Sequence, residues 1–293
     1  MCAKNIRWSI CLPSYNNFLE VYFTVQSLRL HHDMSDKEIV IADNYGDDGL
    51  LEFVERRGDG VVRYERACEV RGVSAAKNAA IQAARGEFVL CMDSHILLKQ
   101  GCFDKEPCGD DLVQGPCLMN NLRDIGMQWL PVWRANMWGI WDYVIPRKRY
   151  DSLKNDERKG VEEKIAGKKL RVADLPTEPY KIWAIGAGFF ACRRASWLGF
   201  NSRFRGFGGE TGYLQEKYRK AGREVWCYPN MLWVHYFCNT GRHIPFPVIM
   251  AERVRNYLIG FNELGLDISP VISHFGDRFV KAARALDGKG EKQ

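Results

Sequence analysis

Asp93 and His95 stand two residues apart at the end of a continuous apolar run, Glu87-Phe88-Val89-Leu90-Cys91-Met92, that begins directly after Gly86. Such a run reads as a strand buried on both faces, central in a parallel sheet. In extended chain, alternate side chains project the same way. The spacing therefore puts the Asp93 carboxylate and the His95 imidazole on one side, with Ser94 facing away. A hard oxygen and an imidazole nitrogen together make half a metal site. The carboxyl ends of strands are also where open α/β sheets bind ligands. The expectation is a divalent cation held by Asp93 and His95, which in turn holds a diphosphate. Taken alone, the tripeptide favours a plainer reading, with Asp93 capping a turn and His95 solvated. Its company changes the balance.

The elements that must position these two side chains follow in order. Trp8-Ser9-Ile10-Cys11-Leu12 is a short strand that stops at the turn formers Pro13-Ser14-Tyr15-Asn16-Asn17. Phe18, Val21, Tyr22, Val25 and Leu28 recur at helical spacing, to about His32. Glu38 to Ala42 is a second strand, ending in Asp43, and Val61 to Tyr64 is a third. The alanine-rich segment Gly72 to Ala84 favours a helix closed by Arg85-Gly86. The first hundred residues thus read strand, helix, strand, strand, helix, strand, a Rossmann-like half. No G-x-G-x-x-G follows the first strand. Asp43 suits a uracil or ribose contact, and equally a stabilised turn.

Downstream, Trp129, Trp133, Trp138, Trp141, Tyr143 and Tyr150 interleave with Arg134, Arg147, Lys148 and Arg149. This is either a stacking surface for bases or sugars or an aromatic packing layer, with packing slightly favoured. Residues 147–174 read as a charged, solvated excursion. Lys181 to Cys192 is a strand pair or bend broken by Gly186 and Gly188, where backbone approaches a ligand closely. After Gly206-Phe207-Gly208-Gly209-Glu210-Thr211, a helix carries Leu214, Tyr218 and Ala221, closed by Gly222. Strands follow at Arg223 to Tyr228 and Trp233 to Phe237, the latter containing His235. A lone histidine in an apolar run is by itself more often a core residue than a ligand. Val248, Val254, Leu258 and Phe261 mark a last helix, before a polar tail from Asp287.

The 293 residues are 46% hydrophobic and 27% charged, ordinary for a globular chain. No run approaches a membrane span and no signal peptide is visible, so a cytoplasmic location is expected. The ten cysteines are scattered without a Cys-x-x-Cys, which fits packed, reduced thiols. Cys102 and Cys108 lack a second pair to complete a zinc site. The formal charge of +6 suits an anionic ligand such as a nucleotide.

Taken together these pieces resemble the GT-A glycosyltransferases, and most closely the polypeptide N-acetylgalactosaminyltransferases. Trp8 to Asn17 is similar to that family's opening strand and nucleotide loop, and Glu38 to Asp43 to its second strand. Gly72 to Glu87, running into Asp93-Ser94-His95, is similar to its helix and Asp-x-His. Gly188-Phe189-Phe190-Ala191, Phe207-Gly208-Gly209-Glu210 and Val234-His235-Tyr236-Phe237 look like its later motifs, in order. The resemblance implies an α/β GT-A fold with a mixed, mostly parallel sheet flanked by helices. It divides the chain into a catalytic domain, 1–245, and a C-terminal helical extension, 246–293. Within the domain, 1–115 would bind nucleotide and 116–245 would carry metal and acceptor. Asp93, His95 and His235 would ligate Mn²⁺ (or Mg²⁺), with Asp93 and Glu210 serving the chemistry. Pro13, Ser14, Tyr15, Asn16, Asp43, Arg71 and Ser94 would meet the nucleotide. Gly188, Phe207, Gly208, Gly209 and Glu210 would meet sugar or acceptor. Phe207 and Thr211 replace the family's Trp and Asn, no lectin domain or membrane anchor is expected, and a compact microbial or viral relative is implied. The expected function is a metal-dependent, retaining transfer from a UDP-sugar to a macromolecular hydroxyl, polypeptide Ser/Thr first. Alternatives are the same chemistry on a 5-hydroxymethylated pyrimidine in DNA, then on a glycan or lipid carrier, and a non-catalytic nucleotide-sugar or nucleic-acid binding module.

Overall fold

The structure, a computed structural model, describes residues 5–119, 122, 125–126, 128–142, 172–236 and 243–287. Tyr143, Arg147, Lys148, Arg149, Tyr150, most of the charged excursion, Phe237 and the tail beyond Asp287 lie outside the described residues.

The amino-terminal third alternates strand and helix: β1 (Trp8–Ser14), α1 (Phe18–His31), β2 (Lys37–Asp43), α2 (Leu50–Arg57), β3 (Val62–Arg66), α3 (Val73–Ala83) and β4 (Phe88–Met92). Helix α2 is an addition to the sequence reading, which ran from β2 directly to β3. Its eight residues carry one buried side chain, Leu50, too little for a helical period to show. β1 pairs in parallel with both β2 and β4, and β2 with β3. The chain leaves β1 towards β2 on one side and returns on the other as β4. That reversal makes a topological switch point between the carboxyl ends of β1 and β4, where an open α/β sheet leaves a crevice.

The sheet continues past β4 through β12 (Phe189–Arg193), β6 (Leu112–Gln114), β13 (Val225–Cys227) and β11 (Tyr180–Lys181), eight strands in all. β12 runs antiparallel to β4 and β6, while β6 and β13 are parallel. β4 is therefore central and buried as expected, but between one parallel and one antiparallel neighbour. Period-two alternation sorts the strands onto two cores. Ile10, Leu12, Ile39 and Ile41 face α1, whereas Cys11, Val40, Ala42 and Cys91 face Ala80 and Ile81 of α3.

A second, four-stranded sheet joins β5 (Ile96–Leu98), β14 (Trp233–His235), β7 (Cys117–Leu118) and β8 (Ile125–Gly126). β9 (Gln128–Arg134) and β10 (Met137–Asp142) form a hairpin. Its Trp133 and Trp138 stack at 6.0 Å and pack against Tyr257 and Phe261 of α5 (Met250–Glu263). For these two tryptophans the packing-layer reading holds. Helices α4 (Glu210–Lys220), α6 (Ser269–Phe275) and α7 (Asp277–Asp287) complete the described elements. The last two resolve what the sequence suggested only as a helical extension.

Candidate metal and nucleotide site

β4 ends at Met92, so Asp93 is the first residue beyond it. Its N–H still donates to Gly188 O at 2.8 Å, which holds the loop before β12 against the strand end. Gly188 is needed there because a Cβ would stand 2.9 Å from Asp93 Oδ2. Two residues on, β5 starts and pairs with β14, setting His235 opposite Ile96. The seam between the two sheets thus carries all three expected ligands. His95 Nε2 and His235 Nε2 face each other at 3.1 Å, and Asp93 Oδ2 lies 4.0 and 3.8 Å from them. Among the described residues, this is the group of acids, thiols and imidazoles able to share an ion. The eight described cysteines are free, and Cys102 and Cys108 join no such group.

The donor set fits a divalent cation. Two imidazole nitrogens cannot point lone pairs at one another without a proton or cation between them. Adjacent ligands of an octahedral ion with bonds of about 2.1 Å stand about 3.0 Å apart, close to the His–His separation. One carboxylate and two imidazoles leave coordination positions open, a mixed oxygen and nitrogen set of the kind that divalent metals take.

The surrounding shell was less visible in the sequence. Lys77, from α3, is 1% exposed, and its Nζ lies 3.0 Å from Asp93 Oδ1 while also donating to Ala187 O. Burial would push the Asp93 carboxyl up, but Lys77 and the two imidazoles hold it well below the usual carboxylate range. Burial likewise opposes the Lys77 ammonium, and Asp93 more than offsets it, so that pKa is raised. Glu20, from α1, brings Oε2 within 3.2 Å of His95 Nδ1, at ion-pair distance without hydrogen-bond alignment. Asn17 binds the pieces together. Its Oδ1 accepts from Ser14 Oγ at 2.6 Å and Tyr15 N at 3.2 Å, while its Nδ2 donates to Glu20 Oε2 and Ser94 Oγ. Ser94 is buried, with its hydroxyl turned to this network and its carbonyl accepting from Thr24 Oγ1 at 2.8 Å. No periodicity marks Lys77 or Asn17: a lysine in an amphipathic helix reads as solvated, and an asparagine in a turn reads as a turn former.

On the nucleotide side, Pro13 and Ser14 close β1, and Asn16 adopts a left-handed φ of 47°. Tyr15 meets Tyr45 and Phe246 edge-on at 5.1 and 4.8 Å, with exposed Arg71 5.6 Å from its ring. Asp43 is buried. One oxygen accepts from Tyr45 N and Gly46 N, the other from Tyr64 Oη at 2.9 Å, so the turn-stabilising reading of Asp43 is realised. On the far side, Glu210 opens α4 with its carboxylate accepting from Gly208 N at 3.1 and 3.0 Å, and burial pushes its pKa up. Asn256 of α5 donates to Arg205 O and Gly208 O, and Arg253 Nε reaches Phe207 O, which fixes the loop carrying Phe207, Gly208 and Gly209.

Comparison with known proteins bears on the fold that carries these residues. Residues 9–106 match the family model Glycosyl transferase family 2. Over the whole described chain, the structure is similar to that of GalNAc-T7 with UDP, GalNAc and Mn²⁺. The TM-score is 0.64 at 15% identity, covering 96% of this chain and 56% of that one. The fold is the glycosyltransferase GT-A fold. A mannosyltransferase from Pyrobaculum calidifontis, in complex with GDP-Man and Mn²⁺, has the same GT-A architecture. It aligns with a TM-score of 0.51 at 15% identity over 98% of this chain and 76% of its own. In sequence, 90 residues are 31% identical to the uncharacterized glycosyltransferase YfnE of Bacillus subtilis (strain 168), covering 30% of this chain. The match spans 23% of YfnE, so this chain corresponds to a minor part of that relative.

Proposed function

We propose that the chain transfers a sugar from a nucleotide diphosphate sugar, a UDP-sugar by resemblance, to a hydroxyl of a macromolecule. The observation that carries this is the meeting of Asp93, His95 and His235 at the switch point between β1 and β4, beside the Ser14–Asn17 loop. GalNAc-T7, with the higher TM-score of the two neighbours, is seen with UDP, GalNAc and Mn²⁺, which supports both assignments. When bound, the metal would act as a Lewis acid on the leaving diphosphate. The chain's own residues do the rest. Asp93, His95 and His235 hold the ion, while Ser14, Tyr15 and Asn16 border the nucleoside.

Asp43 has both oxygens engaged, so its part is to shape the turn that receives the base and to offer its remaining acceptor capacity. Glu210, anchored by Gly208 N–H, orients sugar hydroxyls. Thr211 follows Glu210 where an inverting enzyme would place a second carboxylate as base. The reading is therefore retention, with the acceptor proton taken on the donor's own side. A polypeptide Ser or Thr is the proposed acceptor. Trp133 and Trp138, which might have stacked bases, are instead packed on α5.

The test is a panel of UDP-sugars with Mn²⁺, scored for UDP release with peptide and with 5-hydroxymethylated DNA. Peptide-dependent release is expected, lost in Asp93→Ala, with an α-linked product by NMR. DNA-dependent release would move the acceptor to DNA. Equal behaviour of wild type and variant would leave only a binding module.

A further inference from the structure

Lys77 is a buried cation that the catalytic reading does not use, and it lies against a residue assigned to the metal. Its ammonium touches one oxygen of Asp93, while the other oxygen faces the two imidazoles. The imidazoles must be neutral to ligate. Asp93 and Lys77 then cancel, and the atoms that would touch an incoming dication offer it no net charge, with the Glu20 carboxylate one imidazole removed, behind His95 Nδ1. Glu210 is the other carboxylate that Lys77 senses, and burial raises its pKa.

We infer that Lys77 is an internal counter-ion that makes divalent-metal binding depend on the nucleotide diphosphate. This rests on the metal-site reading above. Without nucleotide, the ammonium keeps Asp93 paired and the site assembled, and it repels a second cation across a short, poorly hydrated distance. A bound diphosphate brings the negative charge that the protein withholds, so metal and nucleotide enter as mutually dependent ligands. The coupling is reciprocal, as linkage requires. Lys77 is thus a positioning residue for Asp93 that also couples the two ligands.

The experiment measures Mn²⁺ binding to the full chain by electron paramagnetic resonance, with and without UDP, in wild type, Lys77→Met and Lys77→Arg. UDP should tighten Mn²⁺ binding to wild type and Lys77→Arg by about tenfold or more. Lys77→Met should bind Mn²⁺ alone about tenfold more tightly than wild type, with the UDP effect correspondingly reduced. Lys77→Met also leaves a partly buried carboxylate uncompensated, so its melting temperature in EDTA should fall. Mn²⁺ should raise that temperature more than it does for wild type, even if folding of the variant requires the ion. Wild type binding Mn²⁺ with UDP, but Lys77→Met binding Mn²⁺ alone no more tightly, would overturn this inference and spare the metal site. Absence of Mn²⁺ binding to wild type even with UDP would remove both.

Discussion

Asp93 pairs with Lys77 through one oxygen and would hold the proposed ion through the other, so its surroundings allow little substitution. Asp93→Ala is expected to lower transfer by at least about a hundredfold, with loss of Mn²⁺ binding read separately by resonance. Gly188→Ala should act on the same atom from the other side. Its Cβ would press on Asp93 Oδ2, so metal affinity should fall while the melting temperature changes little. Glu210 gives a pH-dependent prediction. Its folded pKa is raised, so its charged form destabilises the fold, and stability is lost as pH rises from about 4 through the raised folded value. Glu210→Gln keeps an acceptor for Gly208 N–H and carries no charge. Melting temperatures of the two proteins should coincide at the acid end and separate in favour of the variant towards neutral pH. Transfer by Glu210→Gln should drop throughout, the usual exchange of stability for function at a buried polar site.

The elements explain which parts of this site could be read in advance. Strands β1, β2 and β4 and helices α1 and α3 were legible because each buries a periodic apolar face or a continuous apolar run. Asp93 and His95 were legible because they interrupt such a run. The proposed ligand role of His235 came from resemblance, since nothing local distinguishes it from a core histidine. What places it opposite Ile96 is the pairing of β14 with β5, a long-range contact between two three-residue strands. Lys77 escaped for the opposite reason: its partner, Asp93, lies sixteen positions away on another element, and helical spacing shows only the face it shares. Helix α4 shows how loop and helix are coupled. Its backbone is kinked at Thr211 and Gly212, and Gly212 has φ of 86° with Trp138 where a Cβ would be, 2.2 Å from Cε3. Gly212→Ala should therefore cost about 2 kcal/mol or more, seen as a lower denaturation midpoint, and should disturb Glu210 two residues away.

At the scale of the whole molecule, the carboxyl-terminal helices brace the loop that carries part of the candidate site. Asn256 and Arg253 of α5 hold the Phe207–Gly209 loop, and Ile259 belongs to the same core as α3 and β12. A chain ending at residue 245 should lose that support and fail to give a soluble, cooperatively melting protein. Within the described residues, no helix is long and apolar enough to cross a membrane. The proposed ion lies where the eight-stranded sheet meets the smaller one, and strand β14 is only three residues long. An ion gripping Asp93 on one side and His235 on the other would act as a clasp across that junction. Amide deuterium uptake at 96–98 and 233–235 should slow markedly when Mn²⁺ and UDP are added. Uptake at β1 and β2, deep in the larger sheet, should hardly change.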